Sequence, residues 1–370
     1  METALSRLAR RALLIAAAAS LALAAPTAMP PSPGASAPAA PAASSPASGE
    51  EAQVWASAAS CERVVEGGRH RLAPEAGAQH LRIGAWNIEW FPDHTDILWL
   101  ACAIAWLNLD LLAVSEFRDT ESARRHLREL LAELERLTGE RWEADLQRCG
   151  AAQSQHTGFL WNAERLRLAA ADDAWALNAR SRGPEEPCAG WLRPGRHAYF
   201  LPARGSGPGF HAIAVHLKSG ARPEDAAERR AALERIREAT AAFASDRERV
   251  VVLGDFNSMG DGSRGSAVAE VQSLLKLAAQ SEPALAEPMG AACSEYYRGR
   301  GGKLDHVLTS RAMGTLAASA ARVSGYCALA GCRPISPWRA SARPAAYASL
   351  SDHCPVLVEL ENAMLSRGSD

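Results

Sequence analysis

Short apolar runs alternate with longer runs of helical spacing along most of the chain, from about residue 79 onward. The apolar runs have the length of strands, and the predicted strands are 81–88, 111–115, 158–161, 210–217, 250–254, 304–309 and 356–360. The spacing of apolar residues predicts helices over 97–107, 121–137 and 223–244. Because strands alternate with helices, the pattern predicts a layered α/β domain.

The first residues have a different pattern, which predicts a secretory signal peptide over 1–24. Arg7, Arg10 and Arg11 precede an apolar run of 14 residues that ends in small residues near Ala24. A membrane-spanning helix needs roughly 20 apolar residues, so this run is too short to serve as a permanent anchor. We therefore expect cleavage of the signal, no stable membrane anchor, and a protein that is periplasmic or secreted.

The rest of the chain divides into three parts. Residues 25–78 hold a stretch rich in Pro, Ala and Ser, which we expect to be a flexible linker, and an N-terminal extension. Residues 79–362 contain every predicted strand and helix, and residues 363–370 form a C-terminal tail. No internal repeat occurs at a fixed period, so a single folded domain accounts for the sequence.

Charge limits the kind of partner that the chain can bind. The 40 Lys and Arg residues are balanced by 42 Asp and Glu residues, for a net charge of −2. Removal of residues 1–24 takes away three Arg and one Glu and leaves −4. The chain therefore lacks the excess of basic residues that drives broad, sequence-independent binding of nucleic acid. A phosphodiester partner would have to be held by local chemistry.

Export sets the expectation for the eight cysteines, since disulfides persist in oxidising compartments. Cys102 lies in an apolar run and Cys354 just before a strand, so both are predicted to be buried thiols. The other six lie in loop-like or polar sequence, and several of them are expected to form disulfides. The sequence leaves the connectivity open. Two plausible pairs are Cys327 with Cys332 and Cys149 with Cys188.

Polar side chains with metal-binding or proton-transferring groups occur at nearly every predicted strand end. Ligands of layered α/β folds collect at the carboxyl ends of strands, so these side chains are expected to form one site. Carboxylate and amide oxygens suit Mg²⁺, Mn²⁺ or Ca²⁺ better than Zn²⁺. The residues are Asn87 and Glu89; Glu116; His216 and Lys218; Asp255 and Asn257; Asp305 and His306; and Ser351, Asp352 and His353.

The same residues resemble the motifs of the endonuclease/exonuclease/phosphatase superfamily. The segments WNIE, a Glu after an apolar strand, HLKS, GDFN, LDH and SDH occur in the family's order over about residues 79–362. That family includes DNase I-like nucleases, abasic-site endonucleases, bacterial sphingomyelinases and inositol polyphosphate 5-phosphatases. The resemblance implies a four-layer α/β (α+β) sandwich, with two mixed β-sheets packed face to face and helices outside, and a divalent-metal-dependent phosphoester hydrolase.

The resemblance also implies how the site would bind metal and substrate. Glu116 resembles the main metal-binding carboxylate of the family, with Asn87 beside it and Glu89 where many members have Asp. Asp352 would complete the metal or histidine shell. Lys218 is placed to contact a phosphate as a point charge.

Five further residues resemble the family's proton-transferring and phosphate-orienting groups. His353 resembles the histidine that contacts the scissile phosphate and helps to activate water, and Asp305 would fix its tautomer. Asp255 resembles the carboxylate that positions the water or assists the leaving group. Asn257 resembles the amide that holds a phosphate oxygen or orients that carboxylate. His216 resembles the second histidine of the DNase I-like branch, a general acid for the departing oxygen.

For three neighbouring residues we expect no direct part in the chemistry. Trp86 and Trp90 flank the first motif and are predicted to pack around it. His306 is predicted to pack or to face solvent, because the family's partner of the catalytic histidine matches Asp305.

Taken together, the sequence predicts an exported, metal-dependent phosphodiesterase that acts most readily on DNA, as a monomer. A sphingomyelin or phospholipid phosphodiesterase, or a phosphomonoesterase, would use the same residues and is the first alternative. A non-catalytic binding protein of the same fold is the second, and the intact set of Glu116, Asp255, Asp305 and His353 argues against it.

Overall fold

The computed structural model describes residues 49–65, 80–148, 155–178, 183, 193, 195–204, 207–241, 249–287, 293–336, 338–339 and 342–361. Its helices are α1 (Gly49–Val54), α2 (Ala58–Val65), α3 (Ile97–Leu107), α4 (Glu121–Thr138), α5 (Pro223–Ala241), α6 (Ser266–Ala279), α7 (Tyr326–Ala330) and α8 (Ala345–Ser349). Its strands are β1 (His80–Phe91), β2 (Leu111–Arg118), β3 (Trp142–Leu146), β4 (Gln155–Asn162), β5 (Leu166–Asp173), β6 (Arg196–Pro202), β7 (Phe210–His216), β8 (Val250–Asp255), β9 (Leu285–Ala286), β10 (Glu295–Tyr297), β11 (Arg300–Gly302), β12 (Asp305–Ser310), β13 (Thr315–Val323) and β14 (Val356–Glu361).

Most of the strands form two mixed sheets of six strands each. The first sheet has the order β13-β14-β1-β2-β4-β3 and the second β5-β6-β7-β8-β12-β9, while β10 and β11 form a separate hairpin. The pairs β1–β2 and β7–β8 are parallel, and the other pairs are antiparallel. Each parallel pair is joined through a helix, as parallel strands require a crossover connection.

The two sheets pack face to face through large apolar side chains. Ile83 of β1 and Phe159 of β4 belong to the same buried cluster as Phe200 of β6 and Leu253 of β8. Alternate residues of a strand point to opposite faces, so each sheet also has an outer apolar face that needs cover. The inter-sheet cluster is therefore one of three cores among the described residues.

Helices cover the outer face of each sheet. On the first sheet, Trp86 of β1 and Leu112 of β2 pack with Trp99 of α3 and Leu130 of α4. On the second sheet, residues of β7 and β8 pack with α5 and α6, through Ile213, Val252, Leu233 and Leu274. The order helix, sheet, sheet, helix confirms the predicted four-layer sandwich.

All seven predicted strands and all three predicted helices are present, with small shifts at their ends. The predicted helix 97–107 coincides with α3, and residues 242–244 of the third helix lie outside the described residues. The sequence pattern missed the strands β3, β5, β6, β9, β10, β11 and β13 and the helices α1, α2, α6, α7 and α8. In β6, buried residues alternate with half-buried ones, and the alternation includes Arg196 and small Ala198, so no apolar run marks the strand.

The expectation that all the site residues lie at the carboxyl ends of strands was wrong in part. The carboxyl ends of β1, β2, β7 and β8 carry predicted site residues, but Asp305 begins β12 and His353 lies before β14. Since β12 is antiparallel to β8 and β14 is antiparallel to β1, their amino ends lie at the same edge as the carboxyl ends of their partners. All six segments therefore still meet at one edge of the sandwich.

The disulfides differ from the expected cysteine states. Cys102 is bonded to Cys61 and Cys354 to Cys327, so neither is a buried free thiol. Cys332 is bonded to Cys293, so the predicted pair Cys327–Cys332 is wrong. Apolar surroundings suit a buried disulfide as well as a thiol, which is why the sequence did not distinguish them. The predicted pair Cys149–Cys188 lies outside the described residues.

The N-terminal extension is folded in part. α1 and α2 place Val54, Trp55 and Cys61 in the cluster that covers the first sheet. The predicted signal peptide, the Pro/Ala/Ser-rich stretch and the C-terminal tail lie outside the described residues. Within the part of the chain that is described, no helix combines the length and the apolar character needed to cross a lipid bilayer.

Candidate active site

The shared edge of the two sheets brings most of the predicted site residues together. Asn87 Nδ2 donates hydrogen bonds to Glu116 Oε1 (3.1 Å) and to Asp255 Oδ2 (3.0 Å), which links the two sheets. Asp305 pairs with Asp255 across the antiparallel β8–β12 ladder. Apart from Glu116, whose side chain is 15% exposed, these residues are buried. The edge is thus a recessed cluster of carboxylates and amides.

Asp305 and His353 form a buried pair. Asp305 Oδ2 lies 2.7 Å from His353 Nδ1 and accepts a second hydrogen bond from Ser294 Oγ at 2.8 Å. Burial alone lowers the pKa of His353, but the neighbouring carboxylates, Asp305 first, raise it well above 6.5. The charges of the site therefore favour the protonated imidazole, whose Nε2 faces Asp255 Oδ2 at 3.9 Å. This is the arrangement expected of a ring that contacts an anionic substrate.

Asp255 is a buried carboxylate that accepts several hydrogen bonds. The Asn257 backbone N–H donates to Asp255 Oδ1 at 2.8 Å, and Asn87 and Asn257 side chains donate to Oδ2 at 3.0 and 3.2 Å. Burial raises the pKa of Asp255 to about 7, against the opposing effect of His353. A carboxyl group that titrates near neutral pH is suited to take up or release a proton during a reaction.

His216 lies against the same carboxylates. Its Nε2 is 3.4 Å from Asp255 Oδ2 and 3.8 Å from Glu116 Oε1. Burial, with the positive charges of Arg193 and His353, holds the pKa of His216 well below 6.5. The ring is therefore neutral at pH 7 and donates through one N–H only. Its predicted role as general acid stays a prediction.

Arg193 is a charged residue of the site that sequence reasoning missed. Its guanidinium donates to the backbone oxygens of His216 (3.0 Å) and Leu217 (3.2 Å) and to Gln155 Oε1 (2.7 Å). Asn257 Nδ2 donates to the same Leu217 oxygen at 3.1 Å, which places the guanidinium beside the Asn257 amide. Burial lowers the pKa of Arg193, and Glu116 and Asp255 oppose that effect. Arg193 lies in a loop with no strand-end signal, so the pattern gave no reason to select it.

Lys218 does not join the cluster as expected. Its Nζ lies 2.9 Å from Asp225 Oδ1, a carboxylate of α5. Arg193 supplies a positive charge at the site instead. A lysine that follows a strand by two residues has a long flexible side chain, so its direction is decided by the nearest carboxylate and not by the strand.

The predicted metal ligands form the acidic side of the site. Glu89 Oε2 accepts a hydrogen bond from the Asp352 backbone N–H at 2.9 Å, and Glu116 Oε2 accepts one from Trp90 N at 3.2 Å. Burial and the charges of Asp352 and Glu116 raise the pKa of Glu89 to about 7, and burial also raises that of Asp352. Carboxylates that destabilise one another in this way form a donor set that fits a hard divalent cation.

Among the described residues, the group that meets the distance condition for a metal is a different one from the set around Glu116. Asp255, Asp305 and His353 each offer one ligand atom, and these atoms lie within 4.8 Å of one another. His353 Nδ1 and Asp305 Oδ2 are already joined by the 2.7 Å hydrogen bond. His353 Nε2, Asp255 and Asp305 Oδ1, which is buried and has no hydrogen-bond partner among the described residues, remain for a ligand. The described residues thus hold a buried group that can bind a metal, and a neighbouring all-oxygen set around Glu116.

Glu295 is a second residue that the sequence did not indicate. It lies on β10 directly opposite His353 in an isolated antiparallel bridge, so the two side chains share one face. Burial raises its pKa to about 8, and the charges of Asp352, Asp255 and Asp305 add to the shift, against His353. Glu295 belongs to no predicted strand, and only the folding of β10 against residues 352–354 brings it to the site.

Backbone conformation at the site is restrained. Glu89, Trp90, Glu116 and Asn257 all have positive φ values, between 36° and 65°, which non-glycine residues rarely adopt. Such residues persist where the surroundings hold them, and they concentrate at functional sites. Gly254 has φ 139°, and a Cβ atom there would lie 2.1 Å from the Val215 carbonyl oxygen. The glycine of the GDFN segment is therefore required by the close approach of β7.

A buried hydrogen-bond chain lies next to the catalytic residues. His306 Nε2 is 2.8 Å from Ser258 Oγ and its Nδ1 is 2.9 Å from Glu287 Oε1, while Lys303 Nζ donates to Glu287 Oε2 at 2.6 Å. His306 is fully buried, in agreement with the expectation that it packs. Ser258 and His306 directly follow Asn257 and Asp305, so this chain supports two residues of the site.

We expect Glu287→Gln to lower the free energy of unfolding at neutral pH by about 3 kcal/mol, since it leaves the Lys303 ammonium and the buried His306 ring without a charged partner. Burial raises the pKa of Glu287, but the hydrogen bond and charge of His306, with Lys303, hold it below the ordinary 4.5. A carboxyl group whose pKa is lower in the folded state than in the unfolded state stabilises the fold at pH values above its unfolded-state pKa. That stabilisation is lost as the pH falls through the folded-state pKa. The difference between the two proteins should therefore narrow below pH 4.5, as urea titrations at neutral and acidic pH would measure.

The matched control for this change is Glu143→Gln, at an exposed ion pair with Arg141. Exposed pairs contribute under about 1 kcal/mol, so the control should leave stability nearly unchanged at both pH values. An equal loss of stability by Glu287→Gln at neutral and acidic pH would contradict the assignment of a stabilising carboxylate.

Trp86 and Trp90 differ in their environments. Trp86 is 1% exposed and its indole N–H donates to the His353 carbonyl oxygen at 3.1 Å, as expected of a packing residue. Trp90 is 44% exposed, so the expectation that it packs was wrong. Its positive φ, together with the hydrogen bond from its N–H to Glu116, turns its side chain out of the alternation of β1.

Comparison with solved structures finds proteins of similar shape at low sequence identity. An endonuclease/exonuclease/phosphatase family protein from Bacteroides vulgatus is 15% identical, with a TM-score of 0.48, and covers 76% of this chain and 98% of its own. The corresponding protein from Bacteroides thetaiotaomicron is 14% identical, with a TM-score of 0.47 and coverage of 76% and 97%. The 3′ phosphatase NExo from Neisseria, bound to a product DNA hairpin, is 20% identical, with a TM-score of 0.45 and coverage of 76% and 99%.

A comparison with curated proteins gives no significant sequence match. A sequence model of the Endonuclease/Exonuclease/phosphatase family matches residues 84–353, which is more than half of the chain and runs from β1 to His353. That span contains all the residues that were predicted to form the site and the whole shared edge of the two sheets. The chain therefore belongs to the endonuclease/exonuclease/phosphatase family and is a phosphoester hydrolase.

Proposed function

We propose that this protein is a divalent-metal-dependent phosphodiesterase that hydrolyses DNA by attack of water at phosphorus. The observation that carries the proposal is the juxtaposition, at one recessed edge, of an acidic set around Glu116 with a proton-transferring set formed by Asp255, Asp305 and His353. Hydrolysis of a phosphodiester needs both a way to neutralise the phosphate and a way to move protons.

Glu116, Glu89 and Asp352, with the Asn87 amide nearby, would hold the cation. A Mg²⁺, Mn²⁺ or Ca²⁺ ion bound there supplies positive charge for the phosphate oxygens and for the charge that develops in the transition state. The raised pKa of Glu89 supports this assignment, because a nearby cation relieves the repulsion that causes part of the shift.

The remaining residues orient the substrate and move protons. The protonated His353 ring, fixed by Asp305, donates through Nε2 to a non-bridging phosphate oxygen. Asp255, with a pKa of about 7, accepts the proton of the attacking water. Asn257 holds Asp255 in orientation and presents its amide to the phosphate. The water oxygen forms a bond to phosphorus as the P–O bond of the leaving oxygen breaks. The leaving oxygen takes up a proton from solvent or from His216, the predicted general acid, and Asp255 releases the proton of the water to solvent.

A substrate panel tests the proposal directly. Duplex DNA, RNA, sphingomyelin and inositol polyphosphates would be incubated with Mg²⁺, Mn²⁺ or Ca²⁺, and in parallel with EDTA. We expect DNA to be hydrolysed in the presence of metal and EDTA to stop the reaction. If no phosphoester is cleaved with any of these ions, the proposed activity is wrong. Preferential cleavage of sphingomyelin or of a phosphomonoester would replace DNA as the substrate.

Arg193 is expected to contribute to substrate binding through its fixed guanidinium. Arg193→Lys keeps the charge but loses the planar arrangement of donors that contacts three oxygens, so kcat/KM should fall by about 10- to 100-fold. The measurement is hydrolysis of bis(p-nitrophenyl) phosphate. Arg204→Lys, at an exposed pair with Glu164, is the control and should have wild-type activity. Wild-type kinetics in Arg193→Lys would exclude the assigned contact.

Export is also proposed. The pattern of residues 1–24 supports it, and so do three disulfides within the described residues, which are typical of proteins in oxidising compartments. N-terminal sequencing of the protein recovered from a periplasmic extract should give a chain that begins after the small residues near Ala24. An intact Met1 in a cytosolic fraction would contradict export.

A further inference from the structure

We propose that two aromatic–arginine pairs at the rim of the active site bind the unpaired bases of a single-stranded nucleic acid. The proposal rests on the proposed phosphodiesterase function and names the class of substrate. The first pair is Trp90 with Arg118, whose guanidinium carbon lies 5.6 Å from the indole centroid. The second pair is Tyr297 with Arg298, at 5.1 Å. We call these two pairs the aromatic rim.

Both rings are open to a ligand. Trp90 is 44% exposed and Tyr297 is 62% exposed, although large aromatic side chains usually gain from burial. Arg118 is also paired with Asp93, which holds its guanidinium near the indole. Each ring thus presents an apolar surface next to a positive charge.

The hydrogen bonds of Asp352 place both pairs close to the site. The Asp352 N–H donates to Glu89 Oε2 at 2.9 Å, and the Asp352 carbonyl oxygen accepts from Tyr296 N at 3.0 Å. Trp90 and Tyr297 are the next residues in the chain after Glu89 and Tyr296. The aromatic rim therefore flanks the segment that carries Asp352 and His353.

The hairpin that carries Tyr297 is firmly held. The Cys293–Cys332 disulfide fixes its base, and Tyr296 Oη donates to the Arg333 carbonyl oxygen at 2.8 Å. At the turn, Ile335 N donates to the Gly299 oxygen at 2.9 Å. A rigid aromatic side chain loses little entropy when it binds a ligand, which favours stacking.

Local charge favours a polyanion. Although the chain as a whole has a net charge of −2, residues 295–352 contain eight Arg or Lys residues and three acidic residues, Glu295, Asp305 and Asp352. Arginines beside aromatic rings are the combination by which proteins bind single strands: charge holds the backbone and rings stack on the bases. A base-paired duplex hides its base faces, so the chemistry favours unpaired bases over duplex.

The test compares two labelled 15-mers with the same number of phosphates, oligo(dT) and an oligomer of abasic sites. Fluorescence anisotropy would be measured with the full chain in EDTA, so that hydrolysis does not interfere. Stacking of a base on an aromatic ring gives about 5- to 100-fold in affinity, so wild type should bind oligo(dT) at least about 10-fold more tightly than the abasic oligomer. Trp90→Ala and Tyr297→Ala should each reduce that ratio, and the double variant should bring it close to one.

Controls separate stacking from damage to the site. Trp90→Phe keeps an aromatic ring and should retain most of the preference for oligo(dT) over the abasic oligomer. Trp175→Ala removes an indole that is 40% exposed on the short helix Trp175–Leu177, beside α5, and should leave the ratio unchanged. Equal binding of the two oligomers by wild type, or an unchanged ratio in the double variant, would overturn the proposal.

The measurements also distinguish base-dependent binding from binding to a lipid surface and from the absence of the proposed enzyme activity. Sedimentation with phosphatidylglycerol vesicles that is lost in the double variant, without base-dependent binding, would overturn the proposal and assign the aromatic rim to membranes. Base-dependent binding by a protein that cleaves no phosphoester would leave the aromatic rim standing and reject the proposed function. Cleavage of bis(p-nitrophenyl) phosphate by a protein that binds the two oligomers equally would leave the proposed function standing and reject the binding of bases by the aromatic rim.

Discussion

Replacement of His353 by Ala is expected to lower kcat for phosphodiester hydrolysis by about 10²- to 10⁴-fold, the range for loss of a positioned proton-transferring group. His353 Nδ1 is held at 2.7 Å by Asp305, which in turn accepts from Ser294, so the ring has one defined direction in the site. Alanine removes the Nε2–H donor and leaves the Asp305 carboxylate without its partner. Steady-state kinetics on DNA and on bis(p-nitrophenyl) phosphate measure the effect.

The size of the effect should separate His353 from an ordinary histidine. His126→Ala, on α4, removes a ring that contacts Ser122 on its own helix, and it should keep wild-type kcat. Asp305→Asn should lower kcat in the same direction, because an amide no longer selects the Nδ1–H tautomer. Full activity of His353→Ala would show that the assigned chemistry is wrong, even though the family assignment stands.

Glu116→Gln is expected to lower activity at a fixed Mg²⁺ concentration by about 10²- to 10³-fold, since a bound cation contributes several kcal/mol to stabilisation of the transition state. Glu116 accepts from Asn87 Nδ2 and from Trp90 N, and the glutamine keeps the size of the side chain while removing its charge. The concentration of Mg²⁺ at half-maximal activity should rise together with the loss of kcat.

Metal binding itself provides a measurement that does not depend on turnover. Calorimetric titration of Mg²⁺ or Mn²⁺ should show tighter binding to wild type than to Glu116→Gln, and Glu143→Gln should bind as wild type does. If Glu116→Gln binds the ion with wild-type affinity, the acidic set around Glu116 does not hold the metal. In that case the group formed by Asp255, Asp305 and His353 is the alternative ligand set.

The order of apolar and polar residues determined the layers and most of the site. The runs that became β1, β2, β7 and β8 are buried on both faces, so they read as continuous apolar segments, and each ends in residues that the family's motifs also contain. Nine of the ten predicted site residues lie at the shared edge of the sheets. Lys218 is the exception, and it pairs with Asp225.

Only the tertiary structure decided the rest, because those features depend on contacts between distant segments. Arg193 and Glu295 belong to no apolar run. Arg193 reaches the site because its guanidinium donates to the backbone oxygens of residues 216–217, and Glu295 because β10 pairs with residues 352–354. Cys102 and Cys354 have the apolar neighbours of a thiol, and their bonding depends on where Cys61 and Cys327 fold. Burial against neighbouring charges sets the pKa values of Asp255 and His353, and no sequence pattern contains that information. The sequence alone therefore predicted most of the residues that meet at the shared edge, and the fold decided their electrostatic environment and the residues that surround them.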